Sequence, residues 1–154
     1  MSVTYKSEEN MQKAYQLFRD CEYGVLATID SSDGYPYGTP VSLVVIDNDI
    51  YFHSAKVGQK NTNMEQNPKV CVTCVGETEL KPECYNTDFE SAIACGQAQE
   101  VKDEQEKIAV LRKICEKYAA SNMQLFDTAI AEAFSRTAIY KVQVEKITSK
   151  VRKN

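Results

Sequence analysis

Apolar and polar positions change their period along this chain. Met11, Ala14, Tyr15 and Phe18 recur at helical spacing, and Ser7 is placed to cap that helix, which ends before Tyr23-Gly24. The period then shortens. The runs GVLATID (24–30), YGTPVSLVVID (37–47) and IYFHS (50–54) are rich in β-branched and aromatic residues. They are joined by Ser-Ser-Asp-Gly-Tyr-Pro and by Asp47-Asn48-Asp49, both with turn chemistry, so an antiparallel meander of three strands is expected. Residues 57–66 carry polar helix formers and stop at Asn67-Pro68, after which KVCVTCVG (69–76) is again β-branched. A short helix thus links the third and fourth strands.

Residues 77–90 are charged and weakly patterned, and SAIACGQAQEV (91–101) reads as a further strand broken or bent at Gly96. Asp103 and Glu106 have capping-box spacing, and Ile108, Leu111, Cys115 and Tyr118 predict one face of the helix that follows. A second helical stretch at about 123–134 precedes TAIYKVQVEKI (137–147). There Ala138, Tyr140, Val142 and Val144 alternate with Ile139, Lys141, Gln143 and Glu145, the pattern of a closing strand. Six strands or so with peripheral helices predict a mainly β fold, antiparallel and closed into a barrel that leaves no long bare edge. No linker or repeat divides residues 1–154, so one domain is expected.

The net charge of −4 supplies no global basic field, which argues against nucleic acid as a partner. No apolar run approaches the roughly 20 residues that span a bilayer, and MSVTYKSEEN lacks the order of a signal peptide, so no membrane partner and a cytoplasmic location are expected. In that compartment Cys21, Cys71, Cys74, Cys84, Cys95 and Cys115 are expected as free thiols. Cys71 and Cys74 have C-x-x-C spacing, but no second pair or histidine cluster completes a zinc set, and positions three apart on a strand face opposite sides. They read as small core residues, and no metal is expected. Dinucleotide, P-loop and serine-hydrolase motifs are all absent from the sequence.

The chemistry concentrates in YFHSAKVGQKNTNM (51–64), which holds the only histidine, His53, where an apolar run gives way to Lys56, Gly58, Lys60 and Asn61. Backbone N–H groups at a helix start and a nearby ammonium stabilise a phosphate, and Gly58 lets the backbone approach it. A solvated polar loop has the same composition. His53 reads either as a histidine satisfied by hydrogen bonds at a strand end or as a group beside a ligand. Tyr51 shares its face, and Phe52 points to the other.

Six strings in order carry a likeness: YGVLATID (23–30), YPYGTPVSLVV (35–45), YFHSAKVGQKNTNM (51–64), PKVCVTCVG (68–76), Gly96 within ACGQA (94–98), and VQVEKITSK (142–150). Together they resemble the pyridoxamine 5′-phosphate oxidase-like flavin-binding split barrels, most closely the branch of the nitroimidazole resistance proteins. The resemblance implies an FMN-binding split β-barrel of Greek-key-like order, and a homodimer with two flavin mononucleotides (FMN) in grooves between subunits. It implies that backbone groups of Thr39, Pro40, Val41 and Ser42 face the flavin ring edge, and that His53, Ser54 and Ala55 border the ring. Lys56, Gly58, Lys60 and Asn61 would approach the phosphate. His53 would be a ring contact or a catalytic proton donor, and Tyr85, Ser91 and residues near Gly96 would come from the partner.

The activity implied is that of an FMN-dependent oxidoreductase, flavin reductase or nitroreductase-like, acting on a small organic substrate with a nicotinamide nucleotide as electron donor. The alternative is a non-catalytic flavin- or haem-binding split barrel with His53 as an axial ligand. The chain has no tryptophan and lacks both the arginine-rich strand and the C-terminal arginine and histidine motif of the true pyridoxamine oxidases, so oxidation of vitamin B6 is not implied.

Overall fold

The computed structural model describes residues 8–153 and the backbone of residues 2–4, so the cap expected at Ser7 lies outside the described residues. In chain order the elements are β1 (Ser2–Thr4), α1 (Glu8–Asp20), β2 (Gly24–Ile29), β3 (Pro36–Val41), β4 (Leu43–Ile46), β5 (Asp49–Ala55) and α2 (Gln59–Gln66). Then follow β6 (Lys69–Lys81), β7 (Asn86–Glu100), α3 (Glu104–Tyr118), α4 (Phe126–Ala133) and β8 (Thr137–Arg152). All eight strands belong to one antiparallel sheet ordered β3-β2-β6-β7-β8-β5-β4, with β1 paired to the end of β8.

The closed barrel and the three-strand meander are both corrected. β3 and β4 stand at opposite ends of the strand order and do not pair, yet only Ser42 separates them in sequence. The run 37–47 is therefore one strand cut by a bend, and the sheet curls until its two ends meet there. What looked like a meander is two hairpins, β2–β3 and β4–β5, sharing that bend. Turn residues tell where the chain reverses and not which strands become neighbours. The signal that β3 is a terminal strand lies in Pro36 and Pro40, which cannot donate to a ladder and are tolerated where one edge is unpaired.

The two turns form as their residues require. Asp47 and Asn48 take the left-handed conformation at φ 49° and 65°, which matches the twist of a two-residue hairpin. Between β2 and β3, Gly34 supplies φ 77°, and the Asp30 carboxylate accepts from Ser32 N–H at 2.9 Å and from its hydroxyl at 2.6 Å. The weakly patterned stretch 77–90 proves to be the outer arms of a long β6–β7 hairpin with Tyr85 at its tip, 99% exposed. Residues there show no strong alternation because neither face lies on the core.

Two cores stabilise the fold. The inner one packs Ala14, Tyr15 and Phe18 of α1 on Leu26, Phe52, Val72 and Val142 inside the curl. The other packs Val110, Leu111 and Ile114 of α3 and Phe126 of α4 on Val44, Tyr51 and Ile139. Full burial of side chains such as Phe18 or Ile139 contributes about 1.5–3 kcal/mol each. Asp103 caps α3 as expected, its carboxylate accepting from Glu106 N–H at 2.9 Å. The face predicted for α3 is rotated: Lys107, Val110, Leu111 and Ile114 are buried, whereas Ile108 and Tyr118 are partly exposed. Lys107 displaces Ile108 because its stem can be buried while its ammonium donates to Phe134 O at 3.0 Å. Gly96 marks a register shift between β7 and β8, as its strand-bending reading required.

Candidate functional site

β5 ends at Ala55, and the chain crosses three residues to the start of α2. Asn61 holds that crossing in place. Its side-chain nitrogen lies 2.9 Å from Ala55 O, 3.1 Å from Tyr140 Oη and 3.4 Å from Ser54 Oγ, and Ser54 Oγ itself donates to Ala55 O at 2.7 Å. The first half of α2 is pinned to β2 and the residue after it, where Asn63 donates to Thr28 Oγ1 at 3.0 Å and Gln59 to the Asp30 carboxylate at 3.2 Å. Thr28 Oγ1 in turn donates to Tyr37 O of β3 at 3.4 Å. The first turn of α2 and strand β3 are thereby linked through β2.

The structure brings some of the predicted residues together. Lys60 is close enough to His53 to repel its protonated form, and this repulsion adds to burial of the ring in holding the imidazole below its ordinary value. Among the described residues none hydrogen-bonds the His53 side chain, and the residue is exposed. Extending the β4–β5 register one step beyond Leu43↔Phe52 sets Ser42 opposite His53. Lys56 and Asn61 share a cleft of about 810 Å³ with Tyr140, Glu100, Lys102 and Glu106.

Thr39, Pro40 and Val41 remain apart. Among the described residues no hydrogen bond joins them to the 53–61 group, and Val41 points into the inner core. Their strand pairs with β2 alone, so its other edge offers backbone groups to no neighbouring strand.

Sequence reasoning missed the residues that support these segments. Tyr140, placed in the apolar face of β8, also presents its hydroxyl to Asn61, and burial raises its pKa above 10.0. Lys117 donates to Leu43 O at 2.8 Å, and Tyr118 Oη accepts from Leu43 N–H at 3.1 Å, so the end of α3 fixes the corner just after Ser42. No local signal marks these three, because each acts on a segment at least 74 residues away in sequence.

Two buried polar atoms here have no hydrogen-bond partner, Thr39 Oγ1 and Asn61 Oδ1. A buried acceptor left unpaired costs about 1–3 kcal/mol. Asn61 Oδ1 would lie 3.2 Å from a Cβ added at Gly58, which puts it beside the start of α2. The set suits a flavin nucleotide: ammonium groups and helix N–H donors for phosphate, an orphan amide oxygen for a hydroxyl, and an unbonded imidazole for a ring.

Residues 10–151 match the family model described as pyridoxamine 5′-phosphate oxidase. No curated protein matches the chain. Solved structures do. A candidate 5-nitroimidazole antibiotic resistance protein from Bacteroides thetaiotaomicron is 22% identical over 98% of this chain and 87% of its own, with a TM-score of 0.79. The flavocytochrome Anf3 from Azotobacter vinelandii is 18% identical over 99% and 70%, with a TM-score of 0.77. An FAD-binding protein from Mesorhizobium loti is 17% identical over 99% of both chains, with a TM-score of 0.68. What these proteins share with this chain is the split-barrel fold, a curled sheet with peripheral helices. With the family model matched from Asn10 to Val151, this chain belongs to the pyridoxamine 5′-phosphate oxidase family.

Proposed function

We propose that this chain is an FMN-dependent oxidoreductase that works as a homodimer in the cytoplasm on a small organic substrate, with a nicotinamide nucleotide as electron donor. The observation that carries the reading is the group at the end of β5: His53 with no hydrogen-bonding neighbour, Lys60 beside it, and the unpaired Asn61 Oδ1 at the start of α2. Neighbours described as an FAD-binding protein and a flavocytochrome make a flavin the cofactor class to test first.

Bound flavin would supply the electron transfer itself, and the residues of the chain bind, orient and tune it. Lys56, Lys60 and the N–H groups of the first turn of α2 would hold the phosphate. Asn61 Oδ1 would accept from a hydroxyl of the ribityl chain, and the open edge of β3 would face the ring. His53, neutral at pH 7 because burial and Lys60 disfavour its charge, would contact the ring and can pass on a proton.

A second copy is the partner that the surface fits. On the outer side of the sheet the antiparallel registers line up Pro40, Val25, Thr73 and Ile93, and beside them Gly38, Ala27, Cys71 and Cys95. Val25 and Ile93 are exposed there, as is Val75. Uncovered apolar area of this kind marks an interaction surface, and the arm ending at Tyr85 extends beyond the core as if to reach a partner. The test is the absorbance spectrum and light-scattering mass of the purified protein, repeated after adding FMN. A two-banded flavin spectrum on a dimer, with oxidation of a nicotinamide nucleotide in the presence of an electron acceptor, is expected. A sharp Soret band without flavin, or a monomer that binds FMN, would sink the proposal.

A further inference from the structure

Away from the flavin group, two thiols meet where α1 ends. Cys21 follows the last turn, its N–H donating to Leu17 O at 2.9 Å, and Cys74 points inward from β6. Both are buried, 8% and 2% exposed, in the same core, and near enough for each thiol to act on the other's ionisation. They line a cleft of about 590 Å³ between α1 and β6, where Asp20, Glu22, Glu77 and Glu90 are also found. We propose that Cys21 and Cys74 form a hydroperoxide-reactive dithiol, Cys21 attacking and Cys74 resolving, which closes to a disulfide tying the end of α1 to β6.

The pair is not symmetric. Lys117 Nζ donates to Phe18 O at 3.1 Å, the same carbonyl that the Cys21 thiol reaches at 3.2 Å, so an ammonium stands beside Cys21 and not only behind the cleft. The neighbouring Cys74 thiol and this ammonium bring the Cys21 thiol down to about 7. Cys74 is pushed up by the neighbouring Cys21 and by burial. Cys21 is therefore the thiolate of the pair at neutral pH, and the thiolate is the nucleophile. The four carboxylates repel anionic oxidants, whereas an uncharged hydroperoxide meets no such barrier.

The chemistry balances with one hydroperoxide. The Cys21 thiolate attacks the peroxide oxygen, the O–O bond breaks, and hydroxide leaves to take up a proton, giving a sulfenic acid and water. The Cys74 sulfur then attacks the Cys21 sulfur, forming the S–S bond and expelling a second water with the remaining proton. Two thiols lose two electrons and the peroxide gains them. The other facing pair, Cys71 and Cys95 across β6 and β7, is chemically different, because burial and Cys95 push the Cys71 thiol up to about 11.

The experiment treats reduced full-length protein with equimolar hydrogen peroxide and maps its peptides by mass spectrometry without reduction, alongside Cys21→Ser and Cys74→Ser. A Cys21–Cys74 crosslink is expected in the wild type, with the loss of both thiols. Cys74→Ser should instead hold a Cys21 sulfenic acid that dimedone traps, and Cys21→Ser should give neither product. If a variant fails to fold, the wild-type map still decides. A crosslink found only between Cys71 and Cys95, or Cys21 and Cys74 left as thiols while other cysteines oxidise, overturns the proposal. So does a sulfenic acid trapped on Cys74 in place of Cys21.

Discussion

Asn61 and Tyr140, 79 residues apart in sequence, meet at 3.1 Å and tie the start of α2 to β8. The Tyr140 ring also stacks on Phe52, with centroids 5.5 Å apart and planes 14° from parallel. Tyr140→Phe keeps the stack and removes the oxygen that accepts from Asn61. The variant is expected to fold, to lose about 1–2 kcal/mol of stability, and to bind FMN more weakly because the 56–61 crossing loosens. Urea unfolding and flavin titration check this, and wild-type values in both would mean that Ala55 O alone anchors Asn61.

Lys60→Ala is expected to weaken FMN more than riboflavin, since only FMN carries the phosphate that the ammonium would meet. A charge-assisted hydrogen bond contributes about 1.5–3 kcal/mol, or roughly ten- to hundredfold in affinity. Equal losses for the two ligands in fluorescence titration would place Lys60 away from the phosphate.

His53 gives a prediction with a definite sign. Its pKa in the fold lies below the ordinary 6.5, so the unfolded chain binds the proton more readily. The two states do not differ in this respect well above 6.5. As pH falls from there through the lower folded value, protonation favours the unfolded chain and stability is lost. His53→Ala should lack this component while folding normally at pH 7, and the absorption bands of bound flavin should shift in the variant. Thermal melts across that pH window, compared between the two proteins, are the measurement, and parallel curves would count against a perturbed imidazole.

Gly96 sits where β7 shifts register against β8, and a Cβ there would collide with the Gln143 carbonyl. The obstacle is backbone, which cannot rotate away. Gly96→Ala is expected to cost roughly 3 kcal/mol or more, lowering the urea midpoint sharply. A midpoint unchanged from the wild type would show that the two strands can separate at little cost.

Much of this protein was legible before any coordinates. Alternation in 24–30 and 137–147, the Asp47-Asn48 turn and the Asp103 cap are local properties, set by side-chain period and short-range hydrogen bonding, and all four appear in the fold. The histidine string could also be singled out, because a lone imidazole followed by Lys56, Gly58 and Lys60 is a local composition. The arms of the β6–β7 hairpin were not legible, since residues exposed on both faces carry no alternation to read.

What the sequence by itself determined is thus the identity of most elements and the segment where cofactor chemistry is concentrated. Tertiary structure decided the rest. The bend at Ser42 sends β3 and β4 to opposite ends of the sheet, Lys107 takes a buried place beside Phe134 that periodicity assigned to Ile108, and Tyr140 reaches Asn61 from a strand formed near the chain's end. It also set Cys21 against Cys74. Period and propensity describe one segment in its own frame, whereas each of these contacts depends on how two distant segments are placed by burial of the apolar faces between them.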